Sequence, residues 1–147
     1  MAETRRRADV AVFARITAIE RLAAQRVERL LPDGLSSTGL DVLNRLAMSP
    51  GALSPQFLAS SLMLSKSAMT HTLPRLERLE LITVSADPGD GRRKQVVLTA
   101  AGAAAQRAAA AALRPRVEAV RAAFGAHDFE AALPFLERLG AWLAENP

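Results

Sequence analysis

Apolar residues recur at intervals of three and four along most of the chain, and at intervals of two over one short stretch near its middle. Phe13, Ile16, Ala23, Val27 and Leu30 mark an amphipathic helix over about Thr4–Leu31, which Pro32-Asp33-Gly34 ends. Leu40, Leu43 and Leu46 mark a second helix, opened by Ser36 and stopped by Pro50-Gly51. Leu53-Ser54-Pro55-Gln56 supplies a cap and a proline at the first helical position, so a short third helix runs through Phe57, Leu58, Ala59 and Leu62. Met63 and Leu64 form a turn. Ser65 then caps a fourth helix, with Ala68, Met69, Leu73, Leu76 and Leu79 at core spacing.

From Ile82 the period changes to two. Ile82, Val84 and Ala86 alternate with polar residues, Asp87-Pro88-Gly89-Asp90-Gly91 makes a turn, and Val96 and Leu98 alternate again. This predicts an antiparallel hairpin with Arg92, Arg93 and Lys94 at or beside its tip. Thr99 caps an alanine-rich helix carrying Leu113, Val117, Val120 and Phe124, kinked near Pro115 and closed by Gly125. Asp128 caps a last helix, where Phe129, Leu133, Leu136, Leu139 and Leu143 form one stripe that Phe135 and Trp142 widen. So broad an apolar surface at the end of the chain calls for a partner beyond the small central module.

Two helices joined by so short a turn form a helix-turn-helix, whose second helix enters the major groove of DNA by its N-terminal end. The fourth helix carries suitable chemistry. Ser65, Ser67 and Thr70 are short enough to bring the backbone close to the groove floor. Lys66 and Arg75 reach phosphates or guanine, and His71 can do either. Ser67, Thr70, His71 and Arg75 are the expected major-groove residues.

LSPQFLASSLMLSKSAMTHTLPRLERL followed by DPGDGRRKQVVLTAAG resembles the reading pair and wing of the multiple antibiotic resistance regulator (MarR) family. The resemblance covers nearly the whole chain, and its most specific part is Asp90-x-Arg92 followed by Val96-x-Leu98-Thr99-x-x-Gly102. It implies a mostly α fold with a small antiparallel β-hairpin wing, a winged helix-turn-helix flanked by N- and C-terminal dimerisation helices. A single domain over 1–147 would comprise dimerisation helices at 1–33 and 103–147 and a DNA-binding region at 36–101. The resemblance further implies a homodimer bound to double-stranded DNA at a pseudo-palindrome, a repressor before an activator. Arg92 matches an arginine that enters the minor groove, Asp90 the acid that steadies it, and Arg93 stands beside them.

The resemblance also implies release by a small aromatic or anionic effector held between the dimer helices and the reading head. Arg15, Asp41 and Asn44 are polar residues near that cleft, and none is assigned to a ligand. Two positions depart from the family pattern. Pro74 lies in the middle of the reading helix, where it removes the bond to the Thr70 carbonyl and predicts a kink. Glu80 stands where relatives usually place the glycine that ends this helix, and a left-handed backbone there would add roughly 1 kcal/mol of strain. These departures motivate an alternative, a divergent winged-helix dimer that serves as a protein-interaction module with weak or no DNA binding.

Composition narrows the rest. The 147 residues are 50% hydrophobic but only 4% aromatic, a balance that suits close helix packing. The absence of cysteine excludes disulfides and thiol-based peroxide sensing. The net charge of +4 permits a polyanionic partner, although its placement at the hairpin tip and fourth helix matters more than its size. Arg5-Arg6-Arg7 reads as a solvated terminus. No apolar run approaches the roughly 20 residues that span a bilayer, and Met1–Arg7 lacks a secretion signal, so the cytoplasm is the expected location with no membrane partner. His71 and His127 are the only histidines and no nucleophile stands beside a base, so neither an enzyme, a metal site nor a cofactor is expected.

Overall fold

Ser36, Ser54, Ser65 and Thr99 each open a helix in the same way. Each takes an extended backbone and turns its hydroxyl to accept from an N–H three residues on: Gly39 at 3.0 Å, Phe57 at 3.1 Å, Ala68 at 3.0 Å and Gly102 at 2.9 Å. The computed structural model describes residues 2–146, with side chains for 7–146. The side chains of Arg5 and Arg6, expected to be solvated, lie outside the described residues.

The elements follow as α1 (Ala2–Glu28), α2 (Ser37–Ala47), α3 (Pro55–Ser61), α4 (Lys66–Arg78), β1 (Ile82–Asp87), β2 (Asp90–Leu98) and α5 (Ala100–Glu145). Leu43 and Val42 of α2, Leu58 of α3, Met69, Leu73 and Leu76 of α4, Ile82 of β1 and Val96 of β2 form one buried cluster. Every element of the central module thus contributes to a shared core. Fully burying a side chain of this kind stabilises the fold by about 1.5–3 kcal/mol.

α3 and α4 both end in the left-handed backbone of a Schellman motif. After α3, Met63 has φ 54°, and the N–H groups of Met63 and Leu64 donate to Ser60 and Ala59 at 3.2 and 2.8 Å. After α4, Glu80 has φ 57°, and the N–H groups of Glu80 and Leu81 donate to Glu77 and Leu76 at 2.9 and 3.0 Å. The left-handed turn foreseen at Glu80 is therefore present without a glycine. Each turn satisfies helix carbonyls and fixes the chain direction.

β1 and β2 pair antiparallel from Ile82↔Leu98 to Ala86↔Lys94, then jump to Asp87↔Asp90. Gly91, Arg92 and Arg93 stand unpaired in the resulting bulge, beside a tight turn at Pro88-Gly89. A further bridge joins Leu53 to Val96 through reciprocal hydrogen bonds of 3.1 and 2.8 Å. This gives the hairpin a third, single-residue strand.

α5 meets one expectation and corrects another. Its helical backbone continues through Pro115 and Pro134, and the interruption falls at Gly125, the expected end of the alanine-rich helix, with φ 72° and ψ 168°. The surroundings of Pro115 are exposed, so water can serve the carbonyl it leaves free. Asp128 does not cap the last segment, because the helix resumes immediately after Gly125. At the other end, Gly102 packs against Leu81, the residue before β1, so closely that an added β-carbon would overlap its carbonyl oxygen. Beyond Ala109, α5 leaves Val117, Val120, Phe124, Phe129, Leu133, Phe135, Leu136, Trp142 and Leu143 exposed. No described helix is long and apolar enough to cross a membrane.

Candidate nucleic-acid interface

The core side of α4 is set by Met69, Thr72, Leu73 and Leu76. Their burial turns Lys66, Ser67, Thr70, His71, Pro74 and Arg75 outward, all exposed. Thr72 is the one buried position of α4 that the sequence reading left out. Its methyl group makes it acceptable in that row, although as a hydroxyl residue it carries no apolar signal.

Ser65 is spent locally, since its hydroxyl caps α4. Thr70 also turns inward in its bonding, donating from Oγ1 to the Lys66 carbonyl at 2.8 Å. Ser67, His71 and Arg75 make no side-chain hydrogen bond or ion pair among the described residues. α4 keeps its helical assignment through Pro74, from Lys66 to Arg78. Because Pro74 and Thr70 are both exposed, water can serve the carbonyl that Pro74 releases.

The wing stands beside this row. Lys66, Thr70, Leu73 and Pro74 of α4 border a groove of about 700 Å³ whose far side is formed by Val84 and Lys94 of the hairpin. Gln56, at the start of α3, also lines it. The sequence held no signal for Gln56, since its place depends on how α3 crosses α4. Val84 is fixed to α4 by the carboxylate of Glu77, which accepts the Val84 N–H at 3.3 Å.

At the tip, Asp90 holds both neighbours in different ways. Its Oδ1 accepts the main-chain N–H of Arg92 at 3.1 Å, and its Oδ2 lies 3.4 Å from Nε of Arg93. Asp90 therefore shapes the bulge around Arg92 while pairing with the Arg93 guanidinium. Arg92 is exposed and its guanidinium has no ion pair among the described residues. An exposed pair such as Asp90–Arg93 contributes only about 0–1 kcal/mol, so its main effect is geometric.

The reading head joins the long arms through few polar links. Gln106 of α5 donates from Nε2 to Oδ1 of Asn44 in α2 at 2.8 Å, a half-buried amide pair. Beside it on α2, burial pushes the Asp41 carboxyl above its ordinary value of 3.8. Between α1 and α5 lies a second groove of about 790 Å³, with Leu30, Leu113, Val117 and Phe124 on its floor and Arg26, Arg29, Arg116 and Arg121 around it. Among the described residues no group of three or more histidine, aspartate or glutamate side chains converges to hold a metal.

A three-element helical head with a hairpin seated beside its second reading helix defines a winged helix-turn-helix. The family model that matches, described as the MarR family, covers residues 33–93. A probable transcriptional regulator from Pseudomonas aeruginosa is 32% identical, with 84% of this chain and 96% of that chain covered and a TM-score of 0.69. The PcaV transcriptional regulator from Streptomyces coelicolor, solved in complex with its natural ligand, is 21% identical over 86% of this chain and 89% of that chain, at a TM-score of 0.77. The regulator BldR from Sulfolobus solfataricus shares the fold at 22% identity, 88% and 95% coverage and a TM-score of 0.76. No curated protein matches the sequence. The chain belongs to the MarR family of transcriptional regulators, which are not enzymes.

Proposed function

We propose that the protein is a homodimeric regulator, acting chiefly as a repressor, that reads a pseudo-palindromic operator with α4 in the major groove and the wing in the adjacent minor groove. The observation that carries this reading is the shared groove in which Lys66 and Thr70 of α4 face Lys94 of the wing. Cations on two elements, with the Thr70 oxygen beside them, then address one surface, as a duplex requires. Ser67, His71 and Arg75 extend the reading row, Ser65 holds the helix start, and Arg92 and Arg93 project from the bulge. An arginine freed at a wing tip suits a narrow minor groove, where negative potential is concentrated.

A second copy is the partner for the exposed arm surface, from Phe124 and Phe129 to Trp142 and Leu143. The domain then divides as the chain does, into arms at 1–33 and 103–147 and a reading head at 36–101. Two-fold symmetry would place half-sites about one helical turn apart. The arginine-rimmed groove between α1 and α5, with no acidic residue in its lining, supports an effector with an apolar body and an anionic group.

The test is a salt-titrated binding measurement on DNA flanking the protein's own gene, with random DNA as competitor. Log affinity should fall linearly with log salt, and Arg92→Ala should weaken binding while reducing that slope by about one. Binding that is undetectable at low salt, or indifferent to salt, would overturn the reading and favour the protein-interaction module.

A further inference from the structure

We propose that Pro74 gives the reading helix a main-chain reading group. The Thr70 carbonyl, released from its helical hydrogen bond, accepts from the exocyclic amino group of a cytosine or adenine in the major groove. This rests on α4 being the groove-entering helix.

The carbonyl of each residue in a helix is normally taken by the N–H four residues on. Position 74 has no N–H, so the Thr70 carbonyl lacks that donor although α4 continues past it. Both residues are exposed, and both line the groove shared by α4 and the wing. The Thr70 hydroxyl adds to the effect. Its proton is committed to the Lys66 carbonyl at 2.8 Å, which leaves only oxygen lone pairs facing outward. Residue 70 therefore presents acceptors alone, from main chain and side chain together.

Base edges in the major groove differ in kind. Guanine offers N7 and O6 and thymine offers O4, all acceptors, whereas hydrogen-bond donors come only from cytosine N4 and adenine N6. An acceptor-only patch is matched by those amino groups and opposed by the carbonyl edges of guanine and thymine. The neighbouring Lys66 and Arg75 are donors and cannot make this discrimination. Pro74 is thus a specificity-determining residue that acts through another residue's backbone.

The experiment selects binding sites from a randomised duplex pool with the full-length parent, Pro74→Ala and Thr70→Val, and measures each protein on one fixed non-operator duplex. The parent should enrich cytosine or adenine at one position of each half-site. Pro74→Ala restores the N–H and should erode that preference by about fivefold, the scale of one net hydrogen bond, with the base preferences at the other positions unchanged. An unchanged base profile in Pro74→Ala overturns the proposal. So does a uniform loss at all positions, or a preference that Thr70→Val abolishes while Pro74→Ala preserves it. A parent that selects no sequence and binds no duplex defeats the operator-reading function itself, before any variant is compared.

Discussion

The hydroxyl of Thr99 donates to the carbonyl of Glu80 at 2.7 Å while accepting the N–H of Gly102 at 2.9 Å. One side chain therefore caps α5 and fastens it to the left-handed residue that ends α4. The Thr99 N–H adds a bond of 3.1 Å to the Leu81 carbonyl. The exits of the reading helix and of the wing are held together at this point.

Thr99→Val keeps the shape of the side chain and removes both hydroxyl bonds. Loss of the cap and of the link to Glu80 should lower stability by about 1–2 kcal/mol. Urea unfolding of the two proteins under identical conditions measures the difference. A midpoint that does not move would mean that the hydroxyl contributes nothing to the joint.

Gly102→Ala adds a single carbon against an unyielding neighbour. That carbon would overlap the Leu81 carbonyl oxygen and come within 2.8 Å of Cδ1 of Leu98. Since the nearer atom is backbone, the start of α5 and the start of β1 must separate. A cost of about 3 kcal/mol is expected, at the upper end for overpacking. Thermal unfolding should show a marked drop, whereas Gly51→Ala, at a site with open space around it, should leave the midpoint nearly unchanged.

Asp41 sets a pH dependence. Burial holds its folded-state carboxyl above 3.8, so the charged form is penalised in the folded protein. Its favourable contribution is full below about pH 3.8 and is lost as pH rises through the elevated value. Asp41→Asn should therefore melt higher than the parent at pH 7, with the gap closing as pH falls toward 3.8. A gap that stays constant across that window would rule out desolvation of the carboxylate as its source.

The helix starts were legible because each carries a hydroxyl or a proline at a position with a defined bonding role. Ser54-Pro55 and Ser65 needed only local chemistry to be read, and the structure places them as caps. The hairpin was legible from its change of period. The bridge from Leu53 to Val96 was not, since a strand of one residue has no alternation to detect. The bulge was only half visible: the turn residues were apparent, but the jump that frees Gly91, Arg92 and Arg93 depends on pairing across the strands.

Pro74 shows the limit from the other direction. It removes a helical hydrogen bond, yet Met69, Leu73 and Leu76 remain anchored in the core on both sides of it and the helix continues. Tertiary packing outweighs one absent hydrogen bond when the vacancy faces water. Gly125 breaks α5 more effectively than Pro115 because it adopts a backbone outside the helical region altogether. Of the candidate interface, residue identities were readable on α4 and at the wing tip. The partition of Asp90 between the Arg92 backbone and the Arg93 side chain required coordinates.

The bridge between Leu53 and Val96 also settles how the hairpin can move. Both of its hydrogen bonds tie β2 to the residue immediately before the cap of α3. The hairpin is thus riveted at its base on the α3 side, while Glu77 pins it on the α4 side. Movement of its paired part is therefore coupled to α3 and α4, and a surface that engages the exposed row of α4 meets the wing at a position those three hydrogen bonds set.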